Sequence, residues 1–342
     1  MRLLVVTQAV DTDELLLGFF HRWIERLAGR CERIHIVCLK EGPHTLPPHV
    51  HVHSLGKETG RSRFKYVFRF YFHIWKYRKE YDAVFVHMNQ EYVLLAGLLW
   101  RIMGKRVVLW RNHKRGSLWT RIAGIFAHTV CFTSPEAYVA DFANAVKMPL
   151  GIDTDMFKPT ELPNMGTVLL LGRLDPVKRA DVFVEALAQI GKSSKFRADI
   201  YGEPSEGNES YAARVRAQAQ PLVAGGMLAF RGGIRHAQTP AVYTAHSIYV
   251  NVTPSGSFDK TIGEAMASGC VVVTANGAVR GVVPPELFVA DSSAEAVARA
   301  IRAALALDSG GRTRVSARLR EHILAEHSLN RLMERLVMMY TV

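Results

Sequence analysis

Short apolar runs of four to six residues recur along this chain, and most are followed by a stretch with helical periodicity. RLLVVTQ leads into a helix with Leu16, Phe20, Trp23 and Leu27 on one face. RIHIVCL and VHVHSL come next, then a long helical segment, AVFVH, a helix near 91–103, RVVLWRNH, another helix and TVCFTS. Strands that are apolar throughout, rather than alternating, need cover on both faces. Strands that return through helices pair in parallel. The pattern therefore predicts parallel sheets layered with helices.

The alternation pauses once. MPLGIDTDMFKPTELPNMG holds three prolines and two glycines without sustained periodicity, which places a domain boundary near 149–165. It then restarts with TVLLLGRL, RADIYGEP, LAFRGGI, SIYVNVTPS and VVVTAN, again separated by helices. A length of 342 residues suits two domains. The expectation is two doubly wound, Rossmann-like α/β domains, 1–150 and 151–328, facing one another. In such sheets ligands bind beyond the carboxyl ends of the strands, so the cleft between the domains is the expected site.

Several chemistries lose support at once. The chain has no P-loop, no G-x-G-x-x-G after the first strand, no H-E-x-x-H and no G-x-S-x-G. Its four cysteines, Cys31, Cys38, Cys131 and Cys270, form no C-x-x-C, and three lie in or beside apolar runs. They read as buried free thiols in a reducing cytoplasm. No apolar run approaches the ~18 residues that span a bilayer. MRLLVVTQAV is too short for a signal core and runs straight into Asp11 and Asp13, so it reads as a first buried strand.

The chemistry-bearing loops concentrate after residue 165. LLLGRLDPVKR places Gly172, Arg173 and Lys178 just beyond a strand. The two cations are spaced to converge on an anion such as a diphosphate, or they belong to a solvated basic loop. IYGEP places Gly202 and Glu203 at the next strand end, where a glycine admits a flat ring or simply makes a turn. In TPSGSFDKTIGEAMASG, Phe258 and Asp259 lead into a helix beginning near Lys260–Thr261, whose amides suit an anion. Glu264, one turn in, can accept two hydrogen bonds from a diol such as ribose. The small residues after it imply close packing of that helix. In the first half, His113 stands at the end of a strand, where it could bond a sugar hydroxyl or a phosphate.

These motifs, in this order and spacing, resemble retaining glycosyltransferases of family 4, which have the GT-B fold. GIDTDMFKP, LGRLDPVKRADVFVEAL, YGEP and GEAMASGCVVVTANGAVRGVV carry the resemblance over roughly residues 148–290. It implies a nucleotide-sugar donor held mainly by the second domain. Arg173 and Lys178 match the family's diphosphate-binding pair, Glu264 its ribose-binding glutamate, and His113 the histidine that contacts the transferred sugar. It implies no catalytic metal and no other cofactor. It also implies a final helix near 329–342 that packs back on the first domain. One departure stands out. The family's first glutamate lies eight residues before the second, and here that position is Gly256. Asp259 then either supplies the carboxylate from another backbone position or caps the helix.

The charge is unevenly distributed. Residues 1–150 hold 22 Lys+Arg against 12 Asp+Glu, and the remainder 21 against 19. The excess concentrates in residues 57–80, with eight Lys+Arg, two Glu and eight aromatics. Phe64, Phe68, Tyr71 and Trp75 form one helical stripe there. It either faces the core with a solvated basic back or docks on an anionic membrane, bringing a lipid-linked or other glycan acceptor to the enzyme. The expected location is the cytoplasm, with peripheral association at the inner face of the cell membrane. No recognition helix or RNP-type motif points to nucleic acid. The alternative class is a catalytically impaired nucleotide-sugar-binding or scaffold protein.

Overall fold

Two all-parallel sheets organise the chain. They are seen in a computed structural model that describes every residue except 15, 16, 61, 161–165, 192–194, 255, 256 and 342. Two compact units form around them. One comprises Met1–Gly151, Arg235–Ala237 and Leu329–Val342, and the other Ile152–Ile234 and Gln238–Ser328.

In the first unit the strands are β1 (Arg2–Val10), β2 (Arg33–Glu41), β3 (Val50–Ser54), β4 (Ala83–His87), β5 (Arg106–Trp110), β6 (Thr129–Phe132) and β7 (Ala145–Lys147). Their order across the sheet is β3-β2-β1-β4-β5-β6-β7. The helices are α1 (Gly18–Ala28), α2 (Arg63–Lys76), α3 (Gln90–Ile102) and α4 (Leu118–Phe126). Alternate residues of one apolar strand serve opposite layers, as the pleat requires. Leu3 and Val5 join Phe20 and Trp23 of α1. Leu4 and Val6 join Phe70 of α2 with Val93 and Trp100 of α3. Of the stripe expected on α1, Phe20, Trp23 and Leu27 are buried, while Leu16 lies outside the described residues.

On α2 the register differs from a core-facing stripe. Phe70 and Ile74 point into the sheet, whereas Phe64, Phe68 and Trp75 are exposed. The core-facing alternative is overturned: α2 is apolar on two sides, and the sheet takes the side with Phe70.

The second unit runs β8 (Thr167–Leu171), α5 (Ala180–Ile190), β9 (Arg197–Tyr201), α6 (Glu209–Gln218), α7 (Gln220–Ala224), β10 (Leu228–Gly232), α8 (Thr239–Thr244), β11 (Ile248–Asn251), α9 (Lys260–Ala267), β12 (Val271–Thr274), α10 (Ala294–Ala306) and α11 (Ser309–His322). Its strand order is β10-β9-β8-β11-β12. The chain closes with α12 (Leu329–Thr341), whose Leu332, Met333 and Leu336 lie in the same core as α1. Each sheet reverses its winding once, between β1 and β4 in the first and between β8 and β11 in the second. These are the points where doubly wound sheets open a crevice. All four cysteines are buried and free of disulfides.

Candidate functional site

Beyond β8 the chain passes through Gly172 and Arg173 into a 3-10 turn, Pro176–Lys178. Pro176 suits that start because its φ is already fixed, and the Lys178 N–H closes on the Asp175 carbonyl at 2.9 Å. Arg179 then adopts φ 55°, ψ 40°. A left-handed non-glycine residue costs on the order of 1–3 kcal/mol and clusters at functional sites. Among the described residues the other is Met88, φ 71°, directly after β4. Met88 thus follows the strand, and Arg179 precedes the helix, of a connection that leaves a winding reversal.

The turn brings Lys178 to the end of β11. Its Nζ lies 2.6 Å from Asp259 Oδ2, with both side chains largely buried. Asn251, the last residue of β11, donates its amide to the same oxygen at 3.1 Å and to the Tyr249 hydroxyl at 3.3 Å. Asp259 occupies the N-cap position of α9 but makes no side-chain cap bond. Of the two roles expected for it, capping is therefore excluded in this structure, and the carboxylate is committed to Lys178.

Arg173 is paired as well. Its guanidinium lies 3.0 Å from Asp175 Oδ2 and donates to the Ser205 hydroxyl at 2.9 Å. Asp175 is buried, and burial alone would raise its pKa. The N–H and hydroxyl of Ser205, the Arg173 charge and the Asn208 amide outweigh that and hold it below the ordinary value. Arg173 is thus held through its terminal Nη1 by a fixed carboxylate while staying partly exposed.

Glu264 lies in α9, packed against β11 and β12, and is buried. The Tyr243 hydroxyl donates to its Oε2 at 3.1 Å, and burial followed by the Glu264 charge pushes the Tyr243 pKa well up. Glu264 is therefore not an exposed helix residue. A carboxylate is buried only where hydrogen bonds compensate it. Thr261 is hydrogen-bonded to Tyr249. Lys260 keeps part of its side chain at the surface, yet burial of its ammonium end lowers its pKa to about 7, against the pull of Glu264.

Other candidates have structural work of their own. Phe258 is buried and meets the His327 ring edge-on at 5.0 Å. Gly202 takes φ 143°, and a Cβ there would overlap the Gly172 carbonyl. This glycine therefore serves the close approach of two strand ends. Gly172 is the more open of the two, since a Cβ on it would meet only the Lys178 stem at 3.9 Å. Glu203 pairs with Arg216 at 3.0 Å, both substantially exposed. Gly256 lies outside the described residues. His113, in the first unit, is exposed beyond β5; its Nδ1 lies 2.9 Å from the Arg115 nitrogen and 3.0 Å from the Arg115 carbonyl oxygen. The structure brings Arg173, Lys178, Asp259 and Glu264 to the strand ends and helix of one winding reversal. Sequence reasoning missed Asn251, Asp175 and Tyr243. Asp175 was signalled by an acid inside a basic loop; Tyr243 had no local signal.

Residues 166–306 match the family model described as glycosyl transferases group 1. A D-inositol 3-phosphate glycosyltransferase from Acidothermus cellulolyticus is 31% identical over 143 residues, 37% of this chain. The chain spans only about a third of that relative, 32% of its length. Among solved structures, Anabaena Alr3699/HepE in complex with UDP and glucose superposes with a TM-score of 0.78 at 17% identity, covering 100% of this chain and 99% of that one. Sucrose-phosphate synthase from Thermosynechococcus elongatus gives 0.78 at 20% identity, covering 100% and 98%. These likenesses establish the fold, the GT-B type expected from the motifs. Every donor-side candidate from Gly172 to Glu264 falls inside the matched span, whereas His113 lies outside it.

Proposed function

We propose that this protein is a retaining glycosyltransferase that moves a sugar from a nucleoside-diphosphate sugar to a hydroxyl acceptor. The observation that carries the reading is the set at one winding reversal: Arg173 and Lys178 beyond β8, and Asp259 and Glu264 at α9. UDP in the Anabaena structure supports a nucleotide donor. In this reading Arg173 and Lys178 bind the diphosphate, Glu264 and the α9 amides take the ribose and phosphate, and His113 contacts the sugar. The bond from the sugar's anomeric carbon to phosphate oxygen breaks as the acceptor oxygen bonds on the same face. The acceptor's proton passes to the departing diphosphate, whose growing charge the two cations offset. No metal is called for, so transfer should survive EDTA.

The acceptor is a glycan or lipid-linked glycan of cell-envelope polysaccharide or glycolipid synthesis, met at the inner face of the membrane with residues 57–80 toward the lipid. A thermal-shift panel of UDP-, GDP- and ADP-sugars tests the donor reading. A ligand at ~100 times its dissociation constant adds ~2.7 kcal/mol. Absence of a shift with all three would remove it.

One observation favours a second reading, a donor-binding protein without transfer: Asp259 already neutralises Lys178. Asp259→Asn separates the two. If Asp259 serves the sugar, the variant loses transfer and keeps its fold. If it merely blocks Lys178, the variant binds free nucleoside diphosphate more tightly and transfer or slow donor hydrolysis rises.

A further inference from the structure

The outer surface of the first unit's helix layer is apolar across three consecutive helices. On α2, Phe64 is 92% exposed, Phe68 73% and Trp75 55%. On α3, Leu95, Leu98 and Ile102 recur at helical spacing on the side away from the sheet, Ile102 being 76% exposed, while Val93, Ala96 and Trp100 face inward. On α4, Trp119 and Ile125 are exposed, Ile125 to 72%. The helices adjoin one another. The Tyr71 hydroxyl donates to the Leu95 carbonyl at 2.7 Å, and Arg101 to the Ile125 carbonyl at 3.5 Å. A surface helix ordinarily turns its polar side outward, and an exposed apolar expanse of this breadth marks an interaction surface.

Charge identifies what covers it. The three helices carry six Lys+Arg and one Glu. Several of the cations here rest on rings or carbonyls, which hold them without cancelling their charge. Arg78 lies 4.5 Å from the Trp75 ring centre and Lys76 5.7 Å from that of Phe72. Aromatic and aliphatic side chains interleaved with cations suit the headgroup boundary of an anionic bilayer, where rings enter the acyl edge and cations meet lipid phosphates. Among the described residues no helix is long and apolar enough to cross a membrane, so such a layer would lie on the bilayer.

We propose that α2, α3 and α4 together form a docking platform that seats in one leaflet of an anionic lipid membrane. This deepens the membrane contact assigned above to residues 57–80 by extending it to α3 and α4. It uses only the first unit and stands apart from donor binding.

The test uses the full chain with phosphatidylglycerol vesicles whose acyl chains are brominated, which quench inserted tryptophans. Trp23, Trp100 and Trp110 are buried and serve as an internal reference. In Trp75→Phe, vesicle-dependent quenching should persist through Trp119, and it should vanish in Trp75→Phe/Trp119→Phe. Leu98→Ser/Ile102→Ser should weaken co-sedimentation at least tenfold while the thermal shift with donor is unchanged. Three results overturn the platform. If no sedimentation occurs even at low salt, the whole membrane reading fails with it. If quenching is lost on Trp75→Phe alone and Leu98→Ser/Ile102→Ser binds like wild type, only α2 touches lipid. If the chain self-associates without vesicles and Leu98→Ser/Ile102→Ser abolishes that, a second copy covers the face.

Discussion

The donor-side loops and the outer helix layer both concentrate positive charge, and they handle it in opposite ways. Beyond β8 Arg173 meets Asp175 and Lys178 meets Asp259, and Arg216 of α6 meets Glu203. In the layer Lys76 and Arg78 lie over rings, and Arg69 and Arg101 donate to backbone carbonyls. A carboxylate cancels much of the charge and fixes the side chain's geometry. A ring or carbonyl holds the side chain and leaves its field intact, as attraction to an extended anionic surface requires.

The contrast can be broken first on α2 itself. Phe70→Ala removes a fully buried ring from the core and should cost about 3–5 kcal/mol, measured by urea unfolding. A much smaller loss would mean that α2 is not seated on the sheet as described. Next in size, Arg173→Ala or Lys178→Ala should lower turnover by two orders of magnitude or more, about 2–4 kcal/mol of transition-state stabilisation, with the melting curve preserved. Wild-type turnover in either variant would sink their assignment.

Glu264→Ala should cost about 1–3 kcal/mol by leaving the buried Tyr243 hydroxyl without its acceptor. Glu264→Gln should restore stability and still show a reduced thermal shift with donor. A normal shift in both would exclude the ribose contact.

A histidine stack beneath α2 gives a smaller, pH-dependent effect. His35 Nδ1 and His53 Nε2 are 3.0 Å apart, and His73 stacks on His53. Burial, then the neighbouring histidines and Lys76, lower His53 to about 3. Burial also lowers His35, against Glu80, and His73, together with Lys76 and Arg69. The unfolded chain binds more protons below about 6.5, so stability is complete above that pH and declines as the pH falls toward 3. Solvent screening keeps the slope below the ~1.4 kcal/mol per unit that one such group can contribute. Unfolding midpoints at pH 7.5 and 5.0 measure it, and no decline would remove the stack as a contributor. Smallest of all, Phe68→Ala should change folding stability by under ~0.5 kcal/mol, and so differ from Phe70→Ala by most of that residue's burial.

The strand-helix alternation made the fold legible, because apolar runs without alternation leave few options besides a covered parallel sheet. That Arg173, Lys178 and Glu264 come to one winding reversal was legible for a related reason: strand-end glycines, a basic loop and a small-residue helix are local patterns. Tyr243 was not, because it meets Glu264 across 21 residues of chain. Nor was the exposed side of α2, since a helix apolar on two sides does not reveal from its own periodicity which side the sheet will take.

What the sequence determined by itself was therefore the class of fold and the types of residue placed at its strand ends, both written in spacing within a few turns of the chain. Only the tertiary structure decided that Asp259 pairs with Lys178 instead of capping α9, that Gly202 accommodates a backbone carbonyl, and that Phe64, Phe68 and Trp75 face outward. Each of these depends on which distant segment occupies the neighbouring space. Packing settles that through competition among all the apolar faces for one sheet, a contest that no local pattern records.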